Sequence, residues 1–318
     1  MRDWLVVLWV GCVTMAGSVQ ASVRRDDVSE TPYLQLAASS LYDSVGRISF
    51  SVGQSSYLAS GVLISPDWVL TAGHVVGGND YLGGGIENLT FSLTAENSVL
   101  SFAASAWYAH PGWTYTQGDI AAGYDLGLIH LQSSVSTIQA ASLYLSETLQ
   151  IQAGTMVGYG ATGTGITGAQ VGTAGTKRAG QNMIEVQGDG ETISSSLLFV
   201  DFDQPGTDAN NVFGGDLPLP LESLIGPGDS GGGLFVTQNQ QTFLVGIASF
   251  TWGILDGVAD STYGDVAAFT STTSQLAWIQ AMTGVPIPEP STGALLWVGV
   301  VGLCWLRRKK RSGLGYRI

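Results

Sequence analysis

The order of reactive residues along the chain constrains its fold more than any other feature. A serine sits between glycines, directly after an acid, in Gly228-Asp229-Ser230-Gly231-Gly232. The chain has three histidines, His74, His110 and His130, and all precede Ser230. The nucleophile elbow of an α/β-hydrolase needs the order serine, acid, histidine. That order cannot be built here. Histidine, acid, serine can. His74 fills it from Val69-Leu70-Thr71-Ala72-Gly73-His74-Val75-Val76, and Asp125 from Asp125-Leu126-Gly127-Leu128-Ile129-His130-Leu131.

The surrounding pattern is that of short strands. Gly61 to Trp68 reads as a strand with a turn at Pro66-Asp67, then a second strand that delivers His74 as the chain leaves the sheet. Asp125 opens an apolar strand. Further strands are expected at Val45–Phe50, Tyr57–Ile64, Trp68–Ala72, Leu89–Leu93 and Leu100–Trp107. In the second half they are expected at Thr155–Tyr159, Met183–Val186, Leu197–Phe202, Gly233–Val236, Phe243–Ser249 and Asp265–Phe269. Gly158 to Gly175 reads as an irregular surface loop. Thr270 to Met282 carries Leu276, Trp278 and Ile279 at helical spacing. Glycine, at 44 residues of 318, and the lack of long periodic helices favour strands and turns.

The three stretches around His74, Asp125 and Ser230 resemble the trypsin-like, chymotrypsin-fold serine proteases, over about residues 45–280. The resemblance implies an all-β fold of two six-stranded antiparallel β-barrels with a short C-terminal helix. It implies a serine endopeptidase working through an acyl-enzyme, with no metal or organic cofactor. His74 takes the proton of Ser230, and Asp125 orients the imidazole. The N–H groups of Gly228 and Ser230 form the oxyanion hole. Leu224, six residues before Ser230, falls at the base of the S1 pocket, although Glu222 lies close by in sequence. Ser249 matches the serine beside the catalytic acid. Thr251 replaces the usual glycine on one pocket wall, and Gly264 supplies the other. These residues imply an apolar or small P1 side chain rather than Arg or Lys. In relatives, the acid matching Asp229 pairs with a freed N-terminal amine. Val23 is the candidate after trimming, and an internal partner is the alternative. His110, in Ala109-His110-Pro111-Gly112-Trp113, is expected to be structural. His130 is expected to be packed and hydrogen-bonded. A non-catalytic binding module on the same fold and an esterase with the same triad are the rival readings.

Composition sets further bounds. Cys12 and Cys304 lie outside the expected domain, so no disulfide staples it and the core must suffice. Between Ser22 and Pro290, 24 acidic residues face five basic ones, a net charge near −19. Such a body repels phosphate backbones, which argues against nucleic acid as a partner. The acid-rich stretch Asp201 to Asn211 reads as a solvated loop rather than a calcium site. Lys177-Arg178 reads as an exposed basic pair.

The two ends carry sorting signals. Residues 1–21, with Arg2, an apolar run from Trp4 to Val13 and Val19-Gln20-Ala21, read as a secretory signal peptide. Residues 22–284 form the expected peptidase domain. In 285–318, Pro288-Glu289-Pro290 precedes an apolar run from Gly293 to Leu306 and then Arg307-Arg308-Lys309-Lys310-Arg311. This resembles the PEP-CTERM sorting signal of Gram-negative bacteria. It implies an exosortase-type partner, transient anchoring of the apolar segment in the inner membrane, and a final place at the cell surface or in an extracellular matrix. The basic cluster predicts a cytoplasmic C-terminus before processing. The expected substrate is a protein or peptide.

Overall fold

A computed structural model describes residues 22–285, apart from 78–83, 96–97, 147–148, 150, 189, 191–192 and 215–216. The expected signal peptide, the apolar tail with its basic cluster, and both cysteines lie outside the described residues. Among the described residues no helix is long and apolar enough to cross a membrane.

The first half closes into a six-stranded barrel. Its strands are β2 (Val45–Val52), β3 (Ser55–Ser65), β4 (Trp68–Thr71), β5 (Ile86–Ala95), β6 (Ser98–Ala109) and β7 (Gly127–Leu131), joined in the order β2-β3-β4-β7-β6-β5. β1 (Ser22–Arg24) and a short helix, α1 (Thr31–Ala37), precede them, and β1 pairs elsewhere. Alternation along β2 buries Ile48, Phe50 and Val52 on one face. With Val62, Leu63, Val69, Leu70, Phe91, Leu93, Leu128 and Ile129 they fill the barrel interior. Each such side chain contributes roughly 1.5–3 kcal/mol by leaving water. Gly46 is forced by this packing: a Cβ there would lie 2.5 Å from the Phe91 ring.

The second half is built from β8 (Ser142–Leu143), β9 (Gln152–Gly158), β10 (Thr162–Thr164), β11 (Gly168–Ala169), β12 (Arg178–Ile184), β13 (Val186–Gln187), β14 (Leu197–Asp201), β15 (Ser223–Leu224), β16 (Gly233–Gln238), β17 (Gln241–Gly253) and β18 (Asp265–Ser271). The main sheet runs β12-β9-β16-β17-β18-β14-β13, with β8 beside β17. It curls into a half-barrel rather than closing by a complete ladder. Asn182, buried on β12, spans the seam. Its amide donates to the Asp201 carbonyl on β14 (2.5 Å) and to the Ser223 carbonyl on β15 (3.0 Å). α4 (Leu276–Thr283) follows a 3-10 turn at Thr273–Gln275, so the helix starts later than its apolar spacing predicts. It buries Ile279 fully in the core of the first half.

Three expectations fail locally. The stretch 158–175 is not an irregular loop, because β10 and β11 form a hairpin in a small sheet ordered β11-β10-β1-β15. Its backbone finds partners in β1, which runs parallel to β10 and antiparallel to β15. Lys177-Arg178 is not an exposed pair. Arg178 is 1% exposed and pairs with Glu30, while the Lys177 ammonium donates to the Tyr42 carbonyl (2.5 Å). Asp201 and Asp203 are buried rather than solvated. An Asp201 carboxylate oxygen accepts the N–H groups of Val212 (2.6 Å) and Phe213 (3.1 Å), which folds the loop back.

Candidate active site

Two elements of the first barrel deliver the histidine and the acid. β4 ends at Thr71, and His74 stands in the short helical turn α2 (Gly73–Val76). Asp125 sits just before β7, the neighbour of β4 in the barrel. The structure brings the two together. The His74 N–H donates to one Asp125 carboxylate oxygen (2.8 Å), and Nδ1 lies 2.8 Å from the other. The Asp125 side chain is wholly buried, while His74 keeps 19% of its side chain open.

Asp125 is held by more than His74. Ser249 donates its hydroxyl to Asp125 Oδ2 (2.5 Å), and Thr270 donates to the Asp125 carbonyl (3.2 Å). Ser249 can reach because of a bulge. The β17–β18 register slips between Ala248 and Phe250, leaving Ser249 unpaired in the ladder. Burial works against the charge on both partners, yet each charge stabilises the other. For His74, burial pulls the pKa down, but the charge and hydrogen bond of Asp125 win and hold it above the ordinary imidazole value. For Asp125, burial pushes up, but His74, Ser249 and the backbone bond hold it below the usual carboxylate range. The carboxylate therefore stays ionised and keeps a proton on Nδ1, leaving Nε2 as an acceptor.

The loop carrying Ser230 is pinned against this edge. The Ser60 N–H, on β3, donates to the Ser230 carbonyl (2.9 Å), and Gly231 N–H donates to Ala248 on β17 (2.9 Å). Gly231 has φ +85°, and a Cβ there would meet the Thr71 hydroxyl at 2.1 Å. The Ser230 backbone is thus pressed beside the end of the strand that leads to His74. Ser230 and Gly228 are half-buried. Gly228 has φ +97°, in the region that favours glycine. Among the described residues, neither the Gly228 N–H nor the Ser230 N–H is donated to a protein acceptor.

Asp229 faces inward. Its carboxylate accepts the N–H groups of Gly160 (2.7 Å) and Gly226 (2.9 Å). Burial raises it to about 6, against the pull of these bonds and of the Arg178 charge. Ser22, not Val23, is the β1 residue that reaches it, with Oγ 3.5 Å from Oδ2. Val23 instead buries its side chain in the core and pairs with Leu224. The backbone alternates faces along a strand, which is why adjacent residues differ so sharply.

Leu224 is fully buried in β15 and packs with Val23 and Ile225. Glu222 points elsewhere, accepting the Asp203 N–H (2.8 Å) and the Leu219 N–H. Thr251 lies half-buried on β17, opposite Ala267. Gly264 has φ +92°, and Leu255 lies against its bare face, with Cδ1 2.6 Å from where a Cβ would stand. His110 is structural, as expected. It caps α3 (Pro111–Tyr115), accepting the Gly112 N–H (2.9 Å), and stacks on Tyr124. His130 is hydrogen-bonded to Ser105 (2.6 Å) and packed edge-on against Trp68, as expected, with 38% of its side chain open. Among the described residues, no group of three or more His, Cys, Asp or Glu is placed to hold a metal ion.

One residue at this site carries no signal in the sequence. Ser60 is a small polar residue in a strand, yet its hydroxyl donates to the Gly228 carbonyl (2.9 Å) and accepts the Tyr159 N–H (2.9 Å). Nothing in Ala59-Ser60-Gly61 separates it from an ordinary strand serine.

The Trypsin family model matches residues 42–279. The model of the PEP-CTERM protein-sorting motif matches residues 286–309, which indicates export in a Gram-negative bacterium and surface association. No curated protein matches. Among solved structures, HL collagenase is similar in fold, with TM-score 0.55 and 18% identity, covering 78% of this chain and 96% of that one. The family match spans most of the chain, and with it the protein belongs to the trypsin family as a serine endopeptidase with a C-terminal sorting motif.

Proposed function

We propose that the protein hydrolyses peptide bonds with Ser230 as nucleophile, His74 as general base and Asp125 as the residue that orients and charges the imidazole. The observation that carries this reading is the buried Asp125 carboxylate bound to both the N–H and Nδ1 of His74. With Nδ1 protonated, Nε2 takes the proton from the Ser230 hydroxyl as its oxygen attacks the scissile carbonyl. The N–H groups of Gly228 and Ser230 receive the oxyanion; each is worth about 10²–10³ in rate. His74 then gives its proton to the leaving amine. Water then attacks the acyl carbon as it loses a proton to His74, and His74 returns that proton to the Ser230 oxygen as the acyl group leaves.

The P1 pocket takes an apolar or small side chain. Leu224 offers no charge to a basic residue, and Leu255 narrows the space beside Gly264. The chain is exported by its signal peptide and sorted at residues 286–309 by an exosortase-type enzyme, with the apolar tail held in the inner membrane until cleavage. Cleavage profiling of a peptide library, with Ser230→Ala as control, tests the reading. Preference for apolar or small P1 residues, lost in the variant, is expected. A dominant Arg or Lys preference would refute the pocket assignment. Turnover of simple esters without casein would favour an esterase, and no turnover of either would favour a binding module.

A further inference from the structure

Ser60 joins three parts of the molecule that have no covalent link near it. It stands on β3 of the first barrel and is 0% exposed. Its hydroxyl donates to the Gly228 carbonyl and accepts from the N–H of Tyr159, which follows β9 of the second half. Its N–H donates to the Ser230 carbonyl (2.9 Å), and its carbonyl accepts the Thr71 hydroxyl (2.8 Å). All its polar groups are used, and two of them grip the loop on either side of Asp229.

The chemistry of that loop makes the grip consequential. The Gly228 carbonyl belongs to the peptide between residues 228 and 229. The two N–H groups assigned to the oxyanion belong to the peptides on either side of it. Rotating the middle peptide would turn both donors. Gly228, with no Cβ at φ +97°, has little intrinsic resistance to such rotation. The Asp229 N–H bond to the Gly226 carbonyl (2.9 Å) holds one side of that peptide, and the Ser60 hydroxyl holds the other.

We propose that Ser60 is a positioning residue for catalysis, whose hydroxyl fixes the orientation of the Gly228 and Ser230 N–H groups. The proposal rests on the reading of Ser230 as nucleophile. Ser60 touches no reacting atom. Its removal lowers the rate because the donors must point at the developing oxyanion, where a small misplacement costs about a hundredfold.

The test uses Ser60→Ala and the near-isosteric Ser60→Cys, whose thiol is a weak donor. Kinetics on a peptide substrate are combined with affinity for a peptide boronic acid, whose tetrahedral adduct needs the donors. A fall in kcat of about 10–100-fold for Ser60→Ala is expected, with KM within about twofold. Boronic acid affinity should fall in parallel, and Ser60→Cys should lie between. If the alanine variant fails to fold, the cysteine variant alone carries the test. Unchanged kcat and boronic acid affinity in the folded variants would overturn the proposal, as would a loss confined to KM. If wild-type Ser230 does not react with a fluorophosphonate, the nucleophile reading fails and the role of Ser60 falls with it. If wild type reacts and the Ser60 variants match it in kcat and boronic acid affinity, only the positioning role fails.

Discussion

Asp125 is the residue at which sequence, packing and chemistry meet. It is wholly buried, and an isolated carboxylate there would be driven to accept a proton. Donors on the carboxylate prevent this, the His74 N–H and Nδ1 and the Ser249 hydroxyl, with Thr270 beside them on the Asp125 carbonyl. Because His74 is raised above the ordinary 6.5, activity should fall on the acid side from a pH above that value. Replacing Ser249 by Ala removes a donor that shares the Asp125 carboxylate with His74, so more of its charge acts on the imidazole while its position loosens. The pH profile of kcat/KM for Ser249→Ala should show its acid limb moved upward, with kcat reduced severalfold. An unmoved limb would show that Ser249 only packs. The bulge that places Ser249 was invisible in the run Gly246 to Thr251, because a register slip depends on the partner strand.

Among the elements, β1 was the least legible in the sequence: the expected strands begin at Val45, whereas Ser22–Arg24 adds a strand between β10 and β15. Strand addition uses backbone bonds, which leave little trace in side-chain pattern. The consequence reaches Asp229. Signal cleavage after Ala21 would leave the amine on Ser22, whose hydroxyl lies 3.5 Å from the Asp229 carboxylate. A charged amine there would hold Asp229 ionised and lock the loop before Ser230. Secreted enzyme should therefore begin at Ser22, and protein carrying one extra residue before Ser22 should lose at least tenfold in kcat/KM. N-terminal sequencing and kinetics of the two forms check this; a start well beyond residue 40, or equal activity, would exclude it. The main strands, by contrast, were legible. Alternation in Val45–Val52 and the apolar run around Leu128 reflect burial that each strand satisfies alone.

The whole molecule is acidic and keeps several acids inside. Burial is the main cause in each case: Asp229 rises to about 6, Asp265 to about 7 and Glu222 to about 8. Each binds its proton more tightly folded than unfolded. Their contribution to stability is fully present below about pH 4 and is lost as pH rises through these values. The negative body adds self-repulsion in the same direction. Asp125 opposes this only at low pH, where its ionised form is lost. Thermal unfolding should therefore show Tm falling between pH 5 and 8 in protein carrying residues before Ser22, and salt should raise Tm at pH 8. A Tm that rises steadily across that range would contradict these assignments. The acidic balance was plain in the composition. Which acids are interior was not, because Asp201, Glu222 and Asp229 are buried by contacts distant in sequence.

We propose Ser230 as a nucleophile activated by His74 and Asp125. Reaction of the exported enzyme with a fluorophosphonate, followed by mass spectrometry of the labelled peptide, tests it directly. The expected result is a single adduct on Ser230, formed at least a thousandfold more slowly in His74→Ala. Labelling at another residue, or labelling of Ser230 at the same rate without His74, would contradict it.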